Sequence, residues 1–374
     1  MTNIVKLLEE LIEIPSMNPM GSDRTGPEYS EGSVADFLAS FLSGNGIDCE
    51  TYEVMPDRKN LIGYVNAGAK KTLMLEAHLD TVPADNMEIE PFKPAMKNGR
   101  VYGRGSCDTK ASVAVFFGTA ANISKRHRDL KYNLLLLGAC DEEYGFTGAR
   151  AAAERGLKAD FAIVGEPTQL RIVRAHKGVT RWKIKANGKA AHSAYPELGD
   201  NAIYTMAKAL NRIEEYAARL RKKSPDEFLG APSLSVGVIS GGHTVNIVPD
   251  SCWIEVDRRV LPGESRESVL DSIRSLLADT PSIVVEDPYL SLPAMSVDQG
   301  SEIVKVLSSA IRDVLGEPII EGANYATDAG VFNDAELPSV VFGPGDIKDA
   351  HTSTEAVDLS QIESATRILD RLLF

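Results

Sequence analysis

The fold is decided by one short stretch, Leu73-Met74-Leu75-Glu76-Ala77-His78-Leu79-Asp80-Thr81-Val82-Pro83. Its apolar run is typical of a β-strand, and it ends abruptly in a His-x-Asp sequence followed by proline. Strand ends are where α/β enzymes place their chemistry. Because alternate residues of an extended chain point to the same face, Asp80 can hydrogen bond His78 and orient it as a metal ligand. A His-x-Asp sequence on its own is a weak sign of a metal site.

Length and composition predict a globular protein of two domains. The chain has 374 residues, more than one core usually supports, with 43% hydrophobic and 25% charged residues. Its net charge of −13 disfavours nucleic acid or an anionic membrane as the main partner. The first ten residues predict an amphipathic acidic helix and not a signal peptide. No apolar run approaches the roughly 20 residues of a membrane helix. The four scattered cysteines, with no Cys-x-x-Cys pair, favour a reducing cytoplasm.

Strand and helix patterns alternate in two separated parts of the chain. They predict an α/β/α catalytic domain with a central, mostly parallel sheet, formed by residues 1–177 and 292–374. Between them, residues 178–291 follow the order strand, helix, strand, strand, helix, strand. This order is that of a ferredoxin-like α+β unit, so we expect an inserted domain. Residues 87–100, rich in proline and charge, predict a surface loop.

Two acidic clusters follow the His78 strand. Asp108 lies in Gly103-Arg104-Gly105-Ser106-Cys107-Asp108-Thr109-Lys110, directly before a predicted helix, where an N-cap is the alternative interpretation. Asp141-Glu142-Glu143 comes directly after an apolar strand at residues 133–140. Three adjacent acids repel one another unless a cation lies among them, although surface acids are the simpler interpretation.

Two further strand ends carry an acid and a histidine, Glu166 and His351, although a lone histidine on a loop is usually structural. The predicted ligands are two histidines and three carboxylates: His78, Asp108, Glu143, Glu166 and His351. This set suits a pair of first-row ions, above all Zn²⁺. Glu142, left free of the metals, is suited to accept a proton from water and to pass it to a leaving nitrogen.

The ordered set of His-x-Asp, Gly-Arg-Gly-x-x-Asp-x-Lys, Asp-Glu-Glu, Gly-Glu-Pro-Thr and a late histidine resembles a known family. It is similar to the co-catalytic zinc metallopeptidase family of acetylornithine deacetylase, succinyl-diaminopimelate desuccinylase, aminoacylase and glutamate carboxypeptidase. The resemblance covers essentially the whole chain. Glu166-Pro167-Thr168 followed by Arg174-Ala175-His176-Lys177-Gly178 looks most like acetylornithine deacetylase.

The resemblance implies a role for each residue of the cluster. One zinc ion is held by His78, Asp108 and Glu166. The other is held by Glu143, His351 and the bridging Asp108. Glu142 matches the general base, Asp80 the acid behind His78, and the Asp108–Thr109 peptide bond is expected to be cis. Two Zn²⁺ per chain are implied, with Co²⁺ or Mn²⁺ as substitutes.

The inserted domain resembles the family's lid, which also forms the homodimer. His192 matches the histidine that reaches the partner subunit's active site and stabilises an oxyanion, with a structural histidine before a turn as the alternative. Substrate-binding positions are matched by Tyr195, Asn246, Arg259 and Thr327. Arg258 is an alternative to Arg259 as the reader of a substrate carboxylate.

The implied activity is cleavage of the amide bond of an N-acyl-L-amino acid by a metal-bound hydroxide, in cytoplasmic amino-acid biosynthesis. N-acetylornithine is the lead substrate. Succinyl-diaminopimelate desuccinylase, a dipeptidase or carboxypeptidase, and a general aminoacylase are alternatives. The first of them is disfavoured by Gly330, which stands where an arginine is usual in that enzyme.

A non-catalytic metal-binding protein is the competing class of protein. It is disfavoured because every predicted ligand and Glu142 are present. A dinucleotide-binding dehydrogenase is disfavoured because Gly103-Arg104-Gly105 lacks the third glycine of that fingerprint.

Overall fold

The computed structural model describes residues 3–124, 129–223 and 225–374. The helices of these residues are α1 (Ile4–Ile12), α2 (Gly32–Gly44), α3 (Lys110–Ile123), α4 (Thr147–Glu154), α5 (Ala202–Leu220), α6 (Arg266–Leu276), α7 (Glu302–Leu315), α8 (Asp328–Asp334) and α9 (Leu359–Leu373). Their strands are β1 (Asp48–Met55), β2 (Arg58–Val65), β3 (Thr72–His78), β4 (Ala95–Lys97), β5 (Arg100–Tyr102), β6 (Asn133–Ala139), β7 (Phe161–Val164), β8 (Ile172–His176), β9 (Gly178–Asn187), β10 (Ala191–His192), β11 (Ser233–Gly241), β12 (Ile247–Val248), β13 (Ser251–Val260), β14 (Ile283–Val285), β15 (Leu290–Leu292), β16 (Met295–Ser296), β17 (Ile320–Ala323), β18 (Ser339–Val341) and β19 (Ala356–Asp358).

The chain divides into two compact units. The first consists of Met1–Arg174, Val297–Glu321 and Thr327–Phe374, and the second of Ala175–Ser296 and Gly322–Ala326. The functional division into a catalytic domain at 1–177 and 292–374 and a lid at 178–291 stays a prediction.

The first unit is built on a mixed sheet. Its strands run in the order β1-β2-β6-β3-β7-β18-β8. The central four, β6, β3, β7 and β18, are parallel to one another, and antiparallel strands lie on either side. Strands β3 and β6 are buried from their second residue onward, as expected for parallel strands covered on both faces. The predicted α/β class, with a parallel centre to its sheet, is confirmed.

Helix α3 lies at the centre of the first unit. It packs against β3 and β6 and is itself covered by α1 and α9. Every residue of α3 except Asn122 is buried, which agrees with its apolar and small residues on most faces. The segment that leads into α3, and with it Asp108, is therefore held deep in the unit. Among the described residues, no helix has the length and apolar character needed to cross a membrane.

The second unit has the predicted ferredoxin-like order of elements. Its antiparallel sheet runs β11-β13-β9-β14, and β15 also pairs with β9. Helix α5 packs on β9, β11 and β13, and α6 packs on α5 and β14. The core between them includes Trp182, Met206, Ile254 and Ile273. The inserted α+β unit is thus confirmed, and a small additional pair, β10 with β12, is a feature that the sequence pattern missed.

The predicted surface loop at residues 87–100 is wrong in part. Strands β4 and β5 form an antiparallel sheet with β19, a strand more than 250 residues away in the sequence. All three residues of β4 are exposed, so no alternation of apolar and polar residues marks it. Strands β4 and β5 are joined by the two-residue turn Asn98-Gly99, in which both residues have a positive φ. Asn-Gly is a local hairpin signal that the prediction of a loop overlooked, whereas the pairing of β5 with β19 joins distant residues.

Candidate metal centre

The loops that follow the central parallel strands converge at one edge of the first unit's sheet. His78 is the last residue of β3, Glu142 and Glu143 follow β6, and Glu166 follows β7. Since these strands are parallel neighbours, their carboxyl ends lie side by side. The cluster is completed by His351, from the loop between β18 and β19, and by Asp108, from the segment before α3.

Asp108 lies between the two histidines. Its Oδ1 is 3.1 Å from Nε2 of His78, and its Oδ2 is 3.1 Å from Nε2 of His351. The same nitrogen of His351 is 3.2 Å from Oε1 of Glu143. One carboxylate therefore presents its two oxygens to two different imidazoles, which is the arrangement needed to bridge two ions.

The N-cap interpretation of Asp108 is wrong. The N-cap of α3 is Thr109, and no side chain caps this helix. The Asp108–Thr109 peptide bond is cis, as the resemblance implied.

Two further carboxylates approach His78 from the other side. Oε1 of Glu166 is 3.9 Å and Oε2 of Glu142 is 4.0 Å from its Nε2. The potential ligand atoms fall into two groups, each within 4.8 Å: His78 with Glu142 and Glu166, and His78 with Asp108 and Glu143. All the predicted ligands are thus brought together, and Glu142 lies beside them.

Burial governs the protonation of these acids. It raises the pKa of Glu142 and of Glu166 well above the usual value, with further repulsion from Glu166 and Asp108 respectively. The pKa of Glu143 is raised in the same way by burial and by Asp108. Hydrogen bonds to Asp108 and Glu143 raise the pKa of His351 to about 10. With only two imidazoles as partners, these acids resist ionisation unless further positive charge lies among them.

The donor set fits divalent metal ions. Within the described residues, no Lys or Arg forms an ion pair with Asp108, Glu142, Glu143 or Glu166. Buried carboxylates without a positive partner are costly, and two divalent ions would supply it. Imidazole nitrogens and carboxylate oxygens are ordinary ligands of zinc and its neighbours.

Asp80 contacts both His78 and the loop that carries Glu142 and Glu143. Nδ1 of His78 lies 2.9 Å from the backbone carbonyl of Asp80 and 3.4 Å from its Oδ1. The two carboxylate oxygens of Asp80 also accept hydrogen bonds from the backbone N–H groups of Glu142 and Glu143, each at 3.1 Å. One buried acid therefore orients a predicted ligand and fixes the loop that carries the predicted base.

A buried network behind Asp80 was missed by the sequence analysis. Arg58 binds Glu31 through a charge-assisted pair and donates to Oδ1 of Asp141 at 2.7 Å. Asn18 donates to Asp80 at 2.8 Å and to Asp141 at 2.9 Å. Glu31 accepts from the backbone N–H of Asp141, at 3.1 Å. Burial raises the pKa of Glu31 to about 7 although Arg58 opposes the shift, so this acid depends on its arginine.

The predicted residues of the inserted domain lie in the second unit. His192 and Tyr195 are exposed, and Nδ1 of His192 accepts a hydrogen bond from the backbone N–H of Ala194 at 3.1 Å. In a neutral imidazole this bond places the proton on Nε2, which can then donate to another group. Asn246 accepts a hydrogen bond from Thr244 at 2.6 Å.

The two adjacent arginines of β13 face opposite ways, as strand alternation predicts. Arg258 is buried and binds both carboxylate oxygens of Glu264, at 2.7 and 2.9 Å. Arg259 is half-buried and pairs with Asp257 at 2.9 Å. Of the two, Arg259 is better placed to meet a solute.

The side chain of Thr327 caps helix α8. It is buried, and its hydroxyl accepts a hydrogen bond from the backbone N–H of Ala329, which caps α8. Its predicted contact with substrate stays a prediction.

Comparison with known proteins places this chain in a family. Residues 74–374 match the profile of peptidase family M20/M25/M40. The acetylornithine deacetylase of Myxococcus xanthus is 33% identical over 356 residues, 90% of each chain. An M20 family metallo-carboxypeptidase from Sulfolobus solfataricus has a similar structure, with a TM-score of 0.79 and 19% identity over 100% of this chain and 98% of that one. A dinuclear metal-binding peptidase of Bacillus subtilis gives a TM-score of 0.71 with 18% identity, over 99% and 96% of the two chains.

The chain belongs to peptidase family M20/M25/M40, and the predicted family is confirmed. It is accordingly a metal-dependent hydrolase, of the peptidase or deacylase kind.

Proposed function

We propose that this enzyme hydrolyses the amide bond of an N-acyl-L-amino acid, with N-acetylornithine as the lead substrate. The observation that carries the proposal is the position of Asp108, 3.1 Å from both His78 and His351, with the carboxylate of Glu142 4.0 Å from His78. The lead substrate is supported by the deacetylase of Myxococcus xanthus, whose identity of 33% extends over 90% of this chain.

The proposed centre holds two zinc ions, one at His78, Asp108 and Glu166 and one at Asp108, Glu143 and His351. Bound zinc would lower the pKa of a water molecule and polarise the acyl carbonyl oxygen. Glu142 accepts the proton of that water and delivers it to the departing nitrogen. Asp80 keeps His78 and the Glu142 loop in place through the hydrogen bonds described above. The presence of an acid beside the ligands weighs against a non-catalytic metal-binding protein.

We expect about two zinc ions per chain and turnover of one member of a small substrate panel. The panel contains N-acetylornithine, N-succinyl-diaminopimelate, N-acetylmethionine and a dipeptide. Metal content is measured on the purified protein, and activity is measured again after chelation and after return of Zn²⁺, Co²⁺ or Mn²⁺. If only N-succinyl-diaminopimelate is turned over, that compound replaces N-acetylornithine as the proposed substrate. Absence of activity on every substrate with metal supplied would contradict the proposed reaction.

We propose further that residues 178–291, which form most of the second unit, act as a lid and join two chains in a homodimer. Among the residues that the structure describes, strand β11 lies at the edge of its sheet and pairs only with β13. Large apolar side chains are exposed in this unit: Tyr195, Leu198, Ile203, Tyr204, Val238, Ile239, Val245 and Ile247. An exposed edge strand with apolar neighbours is a surface that proteins usually cover.

In this dimer, His192 serves the active site of the partner subunit, steadying the oxyanion through Nε2. The test is complementation between two inactive variants, His192→Ala and Glu142→Gln. Each is expected to be inactive alone. Since each mixed dimer then has one intact site, re-equilibrated mixtures should regain about a quarter of wild-type activity. No recovery in proven mixed dimers, or a monomeric wild type, would contradict the role of His192 in the partner's site.

The cytoplasm is the proposed location. All four cysteines are free, which suits a reducing compartment.

A further inference from the structure

Glu355 is a buried carboxylate to which the proposed mechanism gives no role. Its Oε1 accepts hydrogen bonds from the backbone N–H groups of Cys107 and Asp108, each at 2.9 Å. Its Oε2 accepts from the backbone N–H of Gly105 at 3.1 Å and from the guanidinium of Arg104 at 2.6 Å. All four donors belong to the five-residue segment 104–108, which ends at the predicted bridging ligand.

The path of this segment leaves little freedom. Gly105 has a φ of +81°, and a Cβ there would lie 2.8 Å from Thr81 and 3.0 Å from Lys110. The backbone carbonyl of Glu355 also accepts a hydrogen bond from Gly103, at 3.1 Å. Glu355 therefore secures the segment through both its side chain and its backbone. The four hydrogen bonds that the Glu355 carboxylate accepts are of the strong, charge-assisted kind.

Glu355 also belongs to the loop of a second ligand. It follows His351 by four residues, and between them the carbonyl of Ser353 accepts a hydrogen bond from the backbone N–H of Glu88, at 2.9 Å. The carboxylate thus links the segment that carries Asp108 to the segment that carries His351. These two side chains meet at 3.1 Å.

We propose that Glu355 is a positioning residue of the metal centre, which holds Asp108 and His351 at the separation that the second ion requires. The inference rests on the proposed function, because it takes the two-ion assignment given there. The second ion is the one held by Asp108, Glu143 and His351, and two of these ligands, Asp108 and His351, come from segments that Glu355 secures. The first ion is held by His78, Asp108 and Glu166, of which only Asp108 comes from those segments. Loss of Glu355 should therefore weaken binding of the second ion more than binding of the first.

The test is the Glu355→Gln variant, which keeps the size of the side chain. Glutamine has one acceptor oxygen, so its NH₂ group must face N–H donors that the carboxylate now satisfies. Zn²⁺ is added to the metal-free protein in competition with a chelator. We expect the second equivalent to bind roughly 10–100-fold more weakly than in wild type, and the first to change less. The visible absorption of a second equivalent of Co²⁺ should change as well.

Glu264→Gln is the matched control. Glu264 binds Arg258 and accepts from the backbone N–H of Leu261 at 3.0 Å, so it is the same kind of clamp in the second unit. Its loss should lower the thermal midpoint and leave both metal affinities unchanged. Glu355→Asp keeps the charge on a shorter side chain and should bind the second equivalent with intermediate affinity. If Glu355→Gln does not fold, Glu355→Asp is used as the test variant in its place.

Wild-type affinity for the second equivalent in a folded Glu355 variant would overturn the proposal. Equal weakening of both equivalents, or equal weakening in Glu264→Gln, would also overturn it, because either result is that of a general loss of structure. Failure of the wild type to bind two ions is a different result, which contradicts the two-ion centre and not the contacts of Glu355.

Discussion

The Glu142→Gln variant is expected to retain two metal ions and to lose about 10²–10⁴-fold in kcat, the usual range for removal of a general acid–base group. Glutamine has the shape of glutamate but cannot accept a proton from water. Burial and the neighbouring Glu166 raise the pKa of Glu142, and perturbed carboxyl groups of this kind are typical of catalytic sites. KM should change little, because the amide still fills the same space.

The measurement combines steady-state kinetics with metal analysis of the same samples. Glu154→Gln is the matched control, since it makes the same chemical change on the exposed surface of α4, close to the Glu142 loop in sequence. A variant with two ions and wild-type kcat would exclude Glu142 as the proton acceptor. Loss of one ion would instead assign Glu142 to the ligands, an assignment that its grouping with His78 and Glu166 permits.

The second large effect concerns stability. Arg58→Met is expected to lower the free energy of unfolding of the first unit by about 3–5 kcal/mol, as for loss of one partner of a buried ion pair. Methionine fills part of the space but leaves Glu31 and Asp141 buried without their cation. Both acids are hydrogen bonded to Arg58, and Asp80 lies 3.9 Å from the same guanidinium.

Urea denaturation of the metal-free protein measures this effect, so that metal binding does not contribute. Arg155→Met is the control, because Arg155 forms a comparable but exposed pair with Glu50, and exposed pairs contribute roughly 0–1 kcal/mol. The double variant Arg58→Met with Glu31→Gln should regain part of the loss, since one unpaired charge is removed. Equal effects of the Arg58 and Arg155 substitutions would contradict the importance of the buried network.

Much of the metal cluster is visible in the sequence because its signals are local. His78, Glu143 and Glu166 each end or follow an apolar strand, and parallel strands bring such ends together. The Asp141-Glu142-Glu143 triplet stands out because an apolar strand runs straight into three acids. Asp108 has a less specific signal, since an acid directly before a helix is more often an N-cap. Its two contacts with histidines decide that question.

The groups that hold the cluster in place have no such local signal. Glu31 and Arg58 are 27 residues apart, and Arg104 and Glu355 are 251 residues apart. An isolated glutamate in a polar segment is usually a surface residue, and its pattern does not differ when it is buried. Strands β4 and β5 were missed for a different reason, since their Asn98-Gly99 turn is a local hairpin signal that the prediction of a surface loop overlooked.

The sequence by itself determined the class of fold, the inserted unit and the kinds of side chain that meet at the sheet edge. These depend on the periodicity of apolar residues and on the chemistry of imidazole and carboxylate donors, both of which are properties of short segments. Only the tertiary structure decided how the loops are held: Asp80 fixing two backbone amides, Arg58 balancing two buried acids, and Glu355 linking two segments. Such bonds join residues distant in the chain, and they form only where folding removes them from water.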